Sequence, residues 1–210
     1  MLAALTPAGV DRLRARWPAK RIELLPHGCP TWFPPRKAER GRVIGAFGFL
    51  EPHKGFWRLL DAVRSMPGTE LVLYSYSKSP ETTARWEQAA RGLHVRHIDE
   101  FLPAAEIARR LAAEVDVLAF WYDEADIAAA SGAARIGLAT GVPVLTSPTG
   151  WFQDLQEVTF QPIELLTGVQ RLLDDTPLRE RLTAAAYEFC HAHSWAVLAE
   201  RHRRLWQEIE

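Results

Sequence analysis

From Arg42 onward short apolar runs alternate with amphipathic stretches, and this rhythm constrains the fold more than anything else in the chain. The order is RVIGAFGF, a helix from about Lys54, ELVLYS, a helix around Ala84 to Arg91, HVRHI, and a helix over Ala104 to Ala113. VDVLAFW, a small-residue helix after Ser131 and VPVLTS complete it. Strands separated by helices of this length return in parallel through right-handed crossovers, so the pattern predicts an α/β fold with a doubly wound parallel sheet, Rossmann-like. PIELLTGVQRLLDD, PLRERLTAAAYEFC and WAVLAERHRRLWQEI then keep a helical period and predict three closing helices.

The stretch ahead of this block reads differently. MLAALTPAGVDRLRARW predicts a short helix with Thr6 as N-cap and Pro7 in the first helical position. RIELLPHG predicts a short strand closed by Pro26 and Gly28, and TWFPPRKAERGR a proline-rich, charged connector. The expected organisation is an arm and linker over 1–40, an α/β domain over 41–192 and a terminal helix over 193–210.

Composition narrows the function classes. With 210 residues, 48% hydrophobic, 24% charged and a net charge of -1, the chain is that of an ordered globular protein with one core, and its charge gives no footing for bulk nucleic-acid binding. No apolar run approaches a membrane span and the start lacks a signal-peptide core, which predicts a cytoplasmic protein. The spacing of Cys29 and Cys190 implies neither a disulfide framework nor a metal knuckle, only two buried or surface thiols. No Glu-x-x-His or Cys-x-x-Cys spacing occurs, so no protein-bound metal site is expected.

Ligands of open parallel sheets bind beyond the carboxyl ends of the strands, so the loops there are the candidate sites. GFLEPHKG, residues 48–55, joins a strand to a helix and carries Lys54 at the expected helix start, where the macrodipole favours an anion. Lys54 is then either a phosphate ligand or an exposed lysine beginning an amphipathic helix. His53 is a donor to a phosphate or sugar oxygen, or a loop histidine. In residues 122–141, Ser131 is a good N-cap and Gly132 admits a close ligand. The first N–H groups of Gly132, Ala133 and Ala134 would face an anion, unless the helix simply packs on the sheet. Arg135 could add charge from the first turn or lie exposed. Tyr122, Asp123, Glu124 and Asp126 form an acidic loop that either contacts sugar hydroxyls, with Glu124 the first choice, or is solvated. In SPTGWFQDL, Trp151 and Phe152 are expected to pack, and His191 and His193 to play structural roles.

These residues carry a resemblance. VIGAFGFLEPHKGFWRLLDAV and IGLATGVPVLTS resemble the family-4 glycosyltransferases, the first in its Lys-Gly pair, the second in its Ala-x-Gly-x-Pro-Val stretch at Ala139, Gly141, Pro143 and Val144. ELLPHG resembles that family's Pro-Asn-Gly linker element with His27 in place of asparagine, and SWAVLAERHRRLW its terminal helix. Gly48, Phe49, Pro52 to Gly55 and Ser131 to Ala133 match a Ser-Gly-Ala variant.

The resemblance implies the carboxy-terminal, donor-binding half of a GT-B enzyme. Lys54 would hold the donor diphosphate within a loop of Gly48, Phe49 and His53, and Ser131, Gly132 and Ala133 would offer backbone amides. Phe49 stands where the family has an arginine, and Ala128 and Ile136 where it has two glutamates, leaving Glu124 or Arg135 as substitutes. It further implies a retaining, metal-independent hexosyltransferase using a GDP- or UDP-hexose, with no permanently bound cofactor. The acceptor would be a glycan or lipid-linked, as in surface polysaccharide synthesis, at times peripheral at the inner membrane. An amino-terminal acceptor domain or a homo-oligomeric partner would complete the site. A decayed, non-catalytic module is the alternative. A nicotinamide enzyme is excluded, since GAFGF has the wrong glycine spacing and ELVLYS ends in Tyr74 and Ser75 rather than an acid.

Overall fold

The computed structural model describes residues 1–36, 41–124 and 128–208. The chain opens with β1 (Leu2–Ala4), α1 (Pro7–Arg16) and β2 (Ile22–Leu24), whose strands pair in parallel as a separate two-stranded sheet. Thr6 caps α1, its Oγ1 accepting from Gly9 N at 3.1 Å, with Pro7 in the first turn as the sequence implied. β1 is the element the sequence did not disclose: three residues carry no readable period, and its partner lies beyond α1.

The main sheet holds β3 (Val43–Phe49), β4 (Glu70–Tyr76), β5 (Val95–Asp99), β6 (Val117–Phe120) and β7 (Val144–Thr146), all parallel in the order β5-β4-β3-β6-β7. Central strands are covered on both faces, hence the unbroken apolar runs of β3 and β6, whereas β5, at one edge, is only partly buried. The two-residue period of a strand sends Val43, Phe47, Leu118 and Phe120 into one apolar cluster. It sends Ile44, Ala46, Val117 and Ala119 into the other.

Helices cover both faces. α2 (Phe56–Arg64), α3 (Pro80–Ala90) and α6 (Leu165–Asp174) contribute Leu59, Leu60, Trp86, Val169 and Leu172 to one cluster. α4 (Ala104–Glu114), α5 (Gly132–Leu138) and α7 (Thr176–Ala192) contribute Leu111, Ala134, Leu138 and Ala186 to the other, and α8 (Trp195–Gln207) ends the described chain. The doubly wound parallel sheet is therefore as expected. α3 begins at Pro80, earlier than its apolar period suggests, because Ser79 caps it through Thr82 N at 3.2 Å. Sequence order reverses between β3 and β6, which opens a crevice at their carboxyl ends.

Candidate binding cleft

The crevice is a cleft of about 430 Å³, within the range of small-molecule sites. The ends of β3 and β4 supply Gly48, Phe49, Tyr74, Ser75 and Tyr76, with Lys54 from the turn after β3. The segment into α4 supplies Glu100 to Ala104, and α5 supplies Gly132, Ala133 and Ile136.

Lys54 does not begin a helix, as the sequence reading had it. Pro52 opens a single 3-10 turn, Pro52–Lys54, and Gly55 follows in the left-handed region at φ 65°, so α2 starts only at Phe56. The supposed conflict between lysine and macrodipole is therefore absent; tertiary contacts fix this side chain instead. Its Nζ lies 4.0 Å from the centroid of Tyr122 and 5.9 Å from that of Trp151. Burial holds the amine down to about 8, opposed only weakly by Glu51. Among the described residues no carboxylate pairs with it.

Gly55 is the hinge of this arrangement. A Cβ there would come within 1.8 Å of the Trp121 carbonyl oxygen at the end of β6, besides straining a left-handed φ. Gly55→Ala is expected to lower the unfolding free energy by about 1 to 3 kcal/mol and to shift Lys54. Urea denaturation checks the first effect, and nucleotide titration of the folded fraction the second. The loop after β6 grips the turn from its other side: Asp123 N donates to His53 O at 2.8 Å, and its carboxylate pairs with Arg58 at 2.8 Å.

Tyr122 ties the lysine turn to α5. Its hydroxyl lies 3.3 Å from Ser131 Oγ, and its carbonyl accepts from Ser147 Oγ at 2.8 Å. Burial raises this phenol to about 12, so it stays neutral. The His53 ring stacks on Trp151 at 5.5 Å and 13°, and burial, then the neighbouring Lys54 charge, lowers its basicity. His53 holds the turn by packing and is not among the residues lining the cleft.

Ser131 caps α5 as expected, its Oγ accepting from Ala134 N at 3.2 Å. That bond uses the Ala134 N–H the sequence reading had offered to a ligand, leaving Gly132 and Ala133 on the cleft wall. α5 has only seven residues, so its contribution is these backbone groups rather than a long macrodipole. A Cβ on Gly132 would lie 3.1 Å from His27 Nε2, which places His27 against the helix start. His27 Nδ1 is bonded to Gly28 O at 2.7 Å, and burial lowers this histidine too.

Arg135 is turned inward. Its side chain is 1% exposed, and it donates to His27 O and Ser131 O, both at 3.1 Å, and to the Asp154 carboxylate. It fastens the segment after β2 and the turn after β7 to α5 instead of lining the cleft. Glu124 is exposed and also off the cleft wall, and Asp126 lies outside the described residues.

The loops searched in the sequence followed β3, β6 and β7; those after β4 and β5 build the rest of the cleft. Tyr76 and Phe101 meet edge to face at 5.8 Å beside Phe49, giving the mouth three exposed aromatic rings. Ile136 brings an apolar side chain to the wall where the resemblance leads to a carboxylate, and among the described residues Glu100 is the one carboxylate lining the cleft. Applying the strand-end rule to ELVLYSY and HVRHIDEFLP would have pointed to this wall. Among the described residues no helix is long and apolar enough to cross a membrane.

No protein-family model and no curated protein matches the sequence. Solved structures do match. Sucrose-phosphate synthase from Thermosynechococcus elongatus superposes with a TM-score of 0.80 at 18% identity, over 99% of this chain and 57% of that one. A glycosyltransferase from Rickettsia africae gives 0.81 at 13% identity, over 99% and 62%. Anabaena HepE, solved in complex with UDP-glucose, gives 0.78 at 14% identity, over 98% and 63%. At such identities the likeness is one of fold: the Rossmann-like α/β architecture found in GT-B glycosyltransferases. The chain spans about three fifths of the length of these structures.

Proposed function

We propose that this chain is the donor-binding part of a glycosyltransferase that uses a nucleoside-diphosphate sugar. One observation carries the proposal: Lys54 and the first residues of α5 line the same cleft, whose other end is aromatic and apolar. A cation and open backbone N–H groups suit a diphosphate, and exposed rings suit the flat face of a base. Preorganised donors at the diphosphate act where charge grows as the sugar departs, which is where they lower a barrier most. The resemblance to family-4 enzymes supports a retaining hexosyl transfer to a glycan or lipid-linked acceptor. With Glu124 and Arg135 off the cleft wall, Glu100 is the carboxylate best placed to accept from the donor's hydroxyl or base N–H groups.

An acceptor half is part of this reading. The β1–β2 pair stands apart from the main sheet, and a lone two-stranded parallel sheet is marginal, so further strands from an amino-terminal domain or a second subunit would complete it. Ile136 and Phe49 at the places of a carboxylate and an arginine favour a second reading, a binding module without transferase activity.

Calorimetry of the full chain against UDP, GDP and their sugars tests the proposal, and heat-silent titrations with all of them would refute it. Donor hydrolysis or transfer in the presence of acceptor separates the two readings. Affinity for UDP or GDP is expected to hold steady at neutral pH and to fall, by up to about tenfold per unit, once pH rises through about 8. The sign follows from the amine losing its proton there, while the phosphate's second ionisation near about 6 is already complete. Lys54→Arg, whose guanidinium stays charged, should flatten that profile. Glu100→Gln should weaken UDP roughly threefold to tenfold and leave inorganic pyrophosphate binding unchanged.

A further inference from the structure

Between its two ends the cleft has a middle whose chemistry differs from both. Lys54 and the start of α5 form one end, and the rings of Phe49, Tyr76 and Phe101 form the other. A nucleotide laid with its diphosphate on the first and its base on the second has its pentose in between. There the wall is apolar: Ile107 of α4 and Ile136 of α5, with Leu102 beside them, pack on the core cluster that holds Phe47 and Tyr74.

The polar groups along this middle are already engaged. The Tyr74 hydroxyl donates to the Glu114 carboxylate, 3.0 Å from each oxygen, and Ser75 Oγ lies 2.7 Å from His97 Nε2. The strand-end carbonyls are taken as well, since Ser75 O accepts from Glu100 N and Tyr76 O from Leu50 N, both at 3.0 Å. Among the described lining residues only Glu100 and Tyr76 keep side-chain oxygens without a partner, and both stand beside Phe101 at the mouth, where the base lies.

We propose that the site selects a 2′-deoxyribonucleoside-diphosphate sugar over its ribonucleoside counterpart, with Ile136 as the selecting side chain. The inference rests on the donor-binding reading above. A ribose would bury its 2′-hydroxyl against Ile136 and Ile107 with no protein acceptor, losing bonds to water without replacement. A deoxyribose brings a methylene to the same wall and gains from the contact. The 3′-hydroxyl is common to both and cancels in the comparison. An apolar wall rejects a surplus hydroxyl only moderately, so the outcome is a preference and not an absolute exclusion.

The test is calorimetry of the full chain with matched pairs, dUDP against UDP and dGDP against GDP, each pair differing by a single oxygen atom. The deoxy member of the pair that binds is expected to be roughly 5- to 50-fold tighter. Ile136→Gln, folded by circular dichroism, sets an amide at the wall and should reduce that ratio to about twofold or less by tightening the ribonucleotide. Glu100→Gln should weaken both members and keep the ratio, because it acts at the base. Equal affinities within a pair, or a tighter ribonucleotide, would overturn the proposal and leave the donor-binding reading standing. A ratio that Ile136→Gln does not move would overturn it too. Silence from all four nucleotides would remove the reading and the proposal together.

Discussion

Asp154→Ala is expected to lower the unfolding free energy by about 3 to 5 kcal/mol, because it leaves a buried guanidinium without its counter-charge. Arg135 is 1% exposed and Asp154 17%, and the two side chains join the turn after β7 to the first turn of α5. The remaining acceptors, His27 O and Ser131 O, are neutral carbonyls and cannot balance the charge. Urea denaturation followed by circular dichroism should show a lower midpoint with an unchanged slope. The double replacement Arg135→Met with Asp154→Leu removes both charges and should recover most of the loss. If the single variant is as stable as the parent, the inward pairing of Arg135 is wrong.

A second large effect concerns binding rather than stability. Lys54→Ala is expected to weaken UDP or GDP roughly 10- to 100-fold, the worth of a charge-assisted contact of about 1.5 to 3 kcal/mol. The amine is buried, held down to about 8, and offered only aromatic faces by the fold. Removing it therefore relieves desolvation, and Lys54→Met, which keeps an apolar stem over Tyr122, should leave the melting temperature unchanged or raised. Affinity lost while stability is kept marks a group positioned for a ligand. Unchanged calorimetric affinity in Lys54→Ala would remove the phosphate role.

Much of the architecture was readable before any coordinates. VIGAFGF and VLAF are apolar at every position because helices cover both faces of the sheet, and α2 shows its buried Phe56, Leu59, Leu60 and Val63 at helical spacing. Thr6 and Ser131 could be read as caps because a cap needs only a hydroxyl one turn ahead of its partner N–H. The site was legible in part. Gly48, Phe49, Lys54, Gly132 and Ala133 meet in the cleft, since each sits just past the end of a central strand or at the start of α5. The rest was not, because Tyr76, Phe101 and Glu100 belong to strand-end loops without a glycine–lysine pattern to single them out.

By itself the sequence determined the periods, caps and breakers: which of the longer segments are strands and which are helices. Those properties depend on neighbours within a turn or two, where sterics and local hydrogen bonds dominate. Only the tertiary structure decided where side chains point. Arg135 reaches His27 across 108 positions, and Lys54 lies over Tyr122. Strand order and helix packing set these meetings, and a charge, a ring or a thiol reads the same in the sequence whichever way it turns.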